Sequence, residues 1–188
     1  MLGDLGKAVY TRDSFNARRY ENPILNSYGH PVPLIDGHLQ SPGKDSAARV
    51  KVFRHDTETA EVVLDLKKAY PQVPGLQLLE RSFRYRFADG ETIITDMAEL
   101  IRPAAFETAL TTFGTIEAQP DGSLLAKYRD STVRILIDTG GVPWSLKKEA
   151  LSGNAQWPDP PYRYAIVPEG KRSSWKIEMT FQPVKQTR

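Results

Sequence analysis

Along most of this chain, apolar and polar side chains take turns. Val62, Leu64 and Leu66 alternate with Glu61, Val63 and Asp65, and Phe83, Tyr85 and Phe87 alternate with Ser82, Arg84 and Arg86. Val133, Ile135 and Ile137 oppose Arg134, Leu136 and Asp138, while Tyr162, Tyr164 and Ile166 recur two apart. The longest run sets Trp175, Ile177, Met179 and Phe181 against Lys176, Glu178, Thr180 and Gln182. A strand sends successive side chains to opposite faces, so each run predicts a strand with one dry and one wetter side. Asp89-Gly90, Asp121-Gly122, Gly140-Gly141 and Gly153-Asn154 stand between runs and tolerate the positive φ of tight turns. Many of the fourteen prolines lie at run boundaries, where a missing N–H costs least. The predicted fold class is all-β: an antiparallel two-sheet β-sandwich, supersandwich-like, with roughly ten or more strands.

One segment resists the pattern. In residues 103–113, Phe106, Leu110 and Phe113 sit at helical spacing behind Pro103, yet Thr108, Thr111 and Thr112 suit a strand. The strand reading agrees with its neighbours and is the one adopted.

Length and composition narrow the class. The 188 residues favour one domain, spanning 1–188, that can bury a core without disulfides or metals. A formal net charge of +2 gives no nucleic-acid footprint. The absence of cysteine excludes disulfides, thiolate metal sites and cysteine nucleophiles. No run of about 18 apolar residues predicts a membrane span. Residues 1–10 lack the apolar centre of a signal peptide, so a parent protein that is periplasmic or secreted would carry its signal upstream. No phosphate loop, nucleophile elbow or zinc-protease helix is present; Ser41-Pro42-Gly43-Lys44 reads as a turn.

The first forty residues differ from the rest. Arg12, Arg18, Arg19, Tyr20, Asn26, Tyr28, His30, Asp36, His38 and Gln40 crowd polar and aromatic groups together with little alternation. Guanidinium, imidazole, amide and phenol groups are those that hold an acidic sugar. The plainer reading is a polar surface loop region.

Asn26-Ser27-Tyr28-Gly29-His30-Pro31 resembles the Asn-Ser-x-Gly-His segment that opens the C-terminal sandwich of heparinase II/III-like polysaccharide lyases. Leu64-Asp65-Leu66 with Ala69-Tyr70, then Arg81-Ser82-Phe83, then Ile93-Ile94-Thr95-Asp96, resemble further elements of that family in order. The resemblance covers about residues 6–114. It implies β-elimination of uronic-acid-containing polysaccharides, in a groove between a large α-helical toroid and the sandwich. The toroid would supply tyrosine with asparagine or histidine; the sandwich would contribute a histidine, often with a divalent metal ion nearby. His30 stands at the Gly-His position and is the expected catalytic residue, with Asn26, Arg19, Tyr20 and Arg81 expected to bind substrate. The helical toroid has no counterpart here, so the chain is expected to be inactive alone. The family's asparagine after the histidine is Pro31, which disfavours helical geometry at His30.

Other residues admit two readings. His30, Asp36 and His38 could ligate a metal, but Asp36-Gly37 reads better as a turn; His30 with Asp65 or Asp96 is a second arrangement. His55 reads as a solvated loop residue. Arg81 shares parity with Phe83, so it either reaches a groove or snorkels at the core edge. Trp144, Trp157, Trp175 and the tyrosines near Tyr162 could stack on sugars, although sandwich aromatics are more often core. Three roles remain open: a lyase sandwich, a non-catalytic carbohydrate-binding module, and a structural domain. The last predicts an exposed apolar patch on one sheet.

Overall fold

The computed structural model describes residues 2–5, 8, 9, 11–152 and 160–184. Gly153-Asn154 and Trp157 lie outside them. Among the described residues, twelve strands follow an N-terminal stretch of short 3₁₀ turns. They are β1 (Leu34–Ile35), β2 (Arg49–His55), β3 (Thr59–Asp65), β4 (Leu76–Arg86), β5 (Thr92–Ala104) and β6 (Phe106–Thr112). After these come β7 (Thr115–Ala118), β8 (Leu124–Tyr128), β9 (Ser131–Asp138), β10 (Trp144–Ala150), β11 (Tyr162–Pro168) and β12 (Arg172–Pro183). They form a four-stranded sheet ordered β1-β6-β11-β10 and an eight-stranded sheet ordered β2-β3-β4-β5-β12-β9-β8-β7, with antiparallel pairings. The fold is a β-sandwich.

Period two decides which side chains meet. Trp175, Ile177, Met179 and Phe181 of β12 are buried between the sheets, as their alternation predicts. The ambiguous segment is extended: Pro103 and Ala104 end β5, and β6 begins in the other sheet at Phe106. Phe106 and Leu110, four apart, fit either period, but burial of Thr108 between them selects the strand. The corner is fastened by Trp175, whose indole N–H donates to Ala104 O at 2.9 Å while its ring stacks on Phe106. Trp175 is therefore core, and Trp144 is partly buried against the same cluster.

The two sheets differ in width, and this sets the shape of the surface. Rows of side chains run across the large sheet on its inner face, one being Phe53, Val62, Phe83, Ile94 and Met179. Met179 is buried at one end of that row, while Phe53 at the other is 70% exposed. The next row passes from His55 through Ala60 and Tyr85 to Phe181 and likewise emerges into solvent. The dry face predicted for Phe83, Tyr85 and Phe87 is dry only at its start, because β2, β3 and the end of β4 extend past the smaller sheet; Tyr85 and Phe87 are exposed. His55, read as a loop residue, ends β2 and is exposed there, 6.1 Å from the Phe53 ring.

Candidate functional site

Of the residues singled out from the sequence, Asn26, Tyr28 and His30 fall on a strap that crosses the rim of the smaller sheet, and Arg19 and Tyr20 lie in the 3₁₀ turn before it. Asn16 and Asn26 each begin a 3₁₀ turn by accepting a backbone N–H two residues on, Arg18 and Tyr28 respectively. Short polar side chains suit such positions because they satisfy a donor the turn leaves unpaired. Asn26 also donates to Tyr20 O at 3.0 Å, so both ends of its amide serve the local fold. Gly29 N–H donates to Pro23 O at 2.7 Å. A Cβ at Gly29 would lie 2.3 Å from that oxygen, so glycine is required by the close approach. His30 then takes φ −113° and ψ 155°, the extended geometry expected before proline.

From Tyr28 to Pro33 the strap passes from one side of the smaller sheet to the other. On the outer side, the Arg163 guanidinium lies 4.3 Å from the Tyr28 ring centre, donates to Tyr28 O at 3.0 Å and pairs with Glu107. Tyr28 Oη donates to Glu149. Burial, with help from Glu149, pushes the Tyr28 phenol above its usual range, while Arg163 opposes the shift. On the inner side, Arg81 donates to Pro31 O and Tyr70 Oη donates to Pro33 O at 2.5 Å. The strap goes round the free edge of β6, between two short pairings. There Leu34 and Ile35 pair with Glu107 and Phe106, whereas Leu2 bridges Thr112 and Gly3 N–H donates to Thr111 O at 3.2 Å.

At this rim the His30 side chain is 28% exposed, and its Nδ1 lies 2.6 Å from Asp4 Oδ2. The imidazole is thus neither sealed in the core nor fully solvated. Arg19 is partly buried and donates to Ser14 O at 3.1 Å; Tyr20 is exposed. Arg81 lies elsewhere. Its side chain is 6% exposed, and it spends its donors on Asp96, Thr108 and Pro31 O in the space between the sheets. The expected contact between Arg81 and substrate therefore gives way to a positioning role, because a guanidinium held by an interior carboxylate is not offered to a surface ligand. Burial works against its charge, but Asp96 more than compensates and raises its pKa further.

The metal arrangements do not assemble. Asp36 has φ 48° and Gly37 φ 77°, a tight turn joining Ile35 to His38 as anticipated. The Asp36 carboxylate accepts from Ala105 N–H at 2.8 Å and meets Lys171 at 2.9 Å. Asp96 is neutralised by Arg81, while Asp65 caps Lys67 N–H and lies near Arg49. Among the described residues no three carboxylate or imidazole groups gather where they could hold an ion, so neither arrangement read from the sequence forms a metal site.

Asp4 escaped the sequence reading; its contact with His30 spans 26 positions and leaves no local signal. An exposed apolar patch was expected of a structural domain, but its place was not; it bears Phe53, Tyr85 and Phe87 on the inner face of the large sheet. Beside it, a cavity of about 380 Å³ opens among Leu2, Pro31, Phe83, Ile94, Leu110 and Phe181.

No protein-family model and no curated protein matches the sequence. Solved structures do match the fold. The chain superposes on a heparinase III with methylated lysines at TM-score 0.73 and 13% identity, covering 98% of this chain and 28% of that one. A second heparinase III gives TM-score 0.68 at 11% identity, with 99% and 28% covered. The heparan sulfate lyase HepC from Pedobacter heparinus gives TM-score 0.65 at 14% identity, with 99% and 29% covered. The chain thus spans under a third of the length of these enzymes, and it carries the β-sandwich fold found in heparinase III and heparan sulfate lyase chains.

Proposed function

We propose that this chain is the sandwich part of a heparinase II/III-like lyase, presenting His30 to an acidic polysaccharide from the rim of its smaller sheet. The observation that carries the reading is the strap itself. A Gly-His segment is folded so that its imidazole stays accessible, on a scaffold with the fold found in a heparinase III. β-Elimination needs the sugar carboxylate neutralised and the C5 proton removed, with acid and base groups held together about the bond that breaks. His30 supplies one titratable group. Arg19 and Tyr20 border the strap and would meet the anionic chain, while Asn26 holds the strap in shape. The remaining acid–base groups belong to an upstream α-helical domain, so the chain alone binds but does not cleave.

The exposed face of β2 to β4 supports that partner. Val50, Phe53, Tyr85 and Phe87 leave an apolar surface beside the rim, and contiguous apolar surface of this kind marks contact with another protein layer. A carbohydrate-binding module without chemistry is the competing reading, favoured by the same aromatics.

The test uses the purified 188-residue chain and polymeric uronates such as heparan sulfate and alginate. We expect measurable binding that falls at least about tenfold in His30→Ala, equivalent to about 1.4 kcal/mol, and no rise in the ultraviolet absorbance of unsaturated uronate. Binding that survives His30→Ala but is lost with Phe53→Ala and Tyr85→Ala favours the binding module; cleavage by the chain alone overturns the need for a helical partner.

A further inference from the structure

We infer that Asp4 is a positioning residue for His30, fixing its tautomer so that Nδ1 carries the proton and Nε2 keeps the lone pair. The inference rests on the proposed role of His30 and adds the group that prepares the ring. Oδ2 of Asp4 stands 2.6 Å from Nδ1, a distance that a carboxylate and a nitrogen reach only with a proton between them. An ionised carboxylate can only accept, so the proton sits on Nδ1 whenever the ring is neutral. A carboxylate on one ring nitrogen is a recurrent way of setting the orientation and basicity of the other.

Asp4 is held in place by construction. Leu2 bridges Thr112, Gly3 N–H donates to Thr111 O, and the Thr111 hydroxyl donates back to Gly3 O. The segment therefore runs along the edge of β6 and delivers the next residue to the rim. From the other side, Gly29 packed on Pro23 O and Arg81 bonded to Pro31 O fix the backbone on both flanks of His30. Ring and backbone are set by different elements. The Asp4 side chain is 58% exposed, which makes its strength modest in energy, yet a tautomer needs only a small bias to be selected.

Proton removal and delivery need one defined lone pair at a defined place. An imidazole in water divides its proton between both nitrogens, so a fixed tautomer raises the fraction of molecules ready to react. Asp4 does not touch the sugar in this scheme; it acts through His30.

Nitrogen-15 NMR of the histidine rings in this chain tests it directly, at about pH 8.5, well above the ordinary imidazole range. In the wild type, His30 is expected to show a protonated Nδ1 and a bare Nε2. Asp4→Ala should abolish that preference, and Asp4→Glu should restore it in part. Dispersion of the backbone amides across the β-sandwich reports whether each variant folds, and a folded Asp4→Ala protein with unchanged His30 nitrogens overturns the inference. So does a wild-type ring protonated at Nε2. Because the readout is spectroscopic, it succeeds or fails independently of uronate binding: a fixed tautomer in a chain that ignores polysaccharide would leave the Asp4 assignment standing and remove the lyase reading.

Discussion

Arg81 and Asp96 face each other across β4 and β5 in the space between the two sheets, joined by two hydrogen bonds of 2.6 and 2.7 Å. Both side chains are almost wholly buried, and Arg81 also reaches Thr108 on the opposing sheet and Pro31 on the strap. One guanidinium thus ties together both layers and the segment carrying His30. Charge buried this way is tolerated because every strong donor and acceptor of the pair is matched.

The pair predicts an asymmetry between single and double substitution. Arg81→Met strands the Asp96 carboxylate in the interior and should cost about 3–5 kcal/mol in urea unfolding. Arg81→Met with Asp96→Leu removes both charges and should recover much of that loss, leaving the strap without its bond to Pro31 O. Equal loss in the single and double variants would show that the pair itself is not what matters.

Gly29 predicts a local defect with a functional readout. Alanine there places a Cβ 2.3 Å from the Pro23 carbonyl oxygen, and neither backbone can yield easily. Gly29→Ala is expected to cost about 1–3 kcal/mol, the usual scale for overpacking, and to lose uronate binding as His30→Ala does. Gly3→Ala is the control, since a Cβ there meets nothing within 4 Å and should change stability by less than about 0.5 kcal/mol. Thermal unfolding and a binding titration on the two variants settle the comparison.

Asp36 predicts a pH dependence of known sign. Its carboxyl is held below the usual carboxylate range, first by Ala105 N–H and then by Lys171. A depressed native value stabilises the fold above the unfolded pKa of about 3.9 and loses that contribution as pH falls through the lower native value. Asp36→Asn keeps an acceptor for Ala105 and tolerates the positive φ, but removes the charge. Its deficit relative to wild type should be present near pH 7 and shrink steadily below about pH 4. Urea unfolding across that range checks it; a deficit independent of pH would contradict it.

The strands were legible because their signal is local. Period two along β12 names Trp175, Ile177, Met179 and Phe181 as core, and burial follows it. Asp36-Gly37 was legible as a turn for the same reason: two adjacent residue types that accept positive φ. Long-range partners were not. Parity puts Arg81 on the face of Phe83 and leaves a groove and a core-edge reading both open, but nothing nearby reveals Asp96 opposite it or the shelter of the second sheet. The surroundings of His30, the candidate site, were half readable. Asn-Ser-Tyr-Gly-His gives the strap, whereas Asp4 reaches the ring only because Leu2 and Gly3 pair along β6, a consequence of topology. Alternation also cannot tell where a sheet outgrows its partner, and Phe53, Tyr85 and Phe87 are exposed for that reason.

That overhang predicts behaviour in the isolated chain. Phe53 is 70% exposed on the inner face of β2, whose outer edge has no strand beside it among the described residues. Side chains so placed contribute little to folding, so Phe53→Lys should shift stability by less than about 0.5 kcal/mol. An apolar face next to an open strand edge favours association, and one charge there should suppress it. Analytical ultracentrifugation is expected to show concentration-dependent association of the wild type that weakens in Phe53→Lys, with less binding of a hydrophobic dye. If the face exists to receive an upstream helical domain, a longer chain containing that domain should protect β2 and the end of β4 from hydrogen exchange. It should also lose that protection when Phe53 becomes lysine. Exchange in β2 that is equally fast with and without the helical domain would detach this surface from the interface and leave sugar stacking as its remaining use.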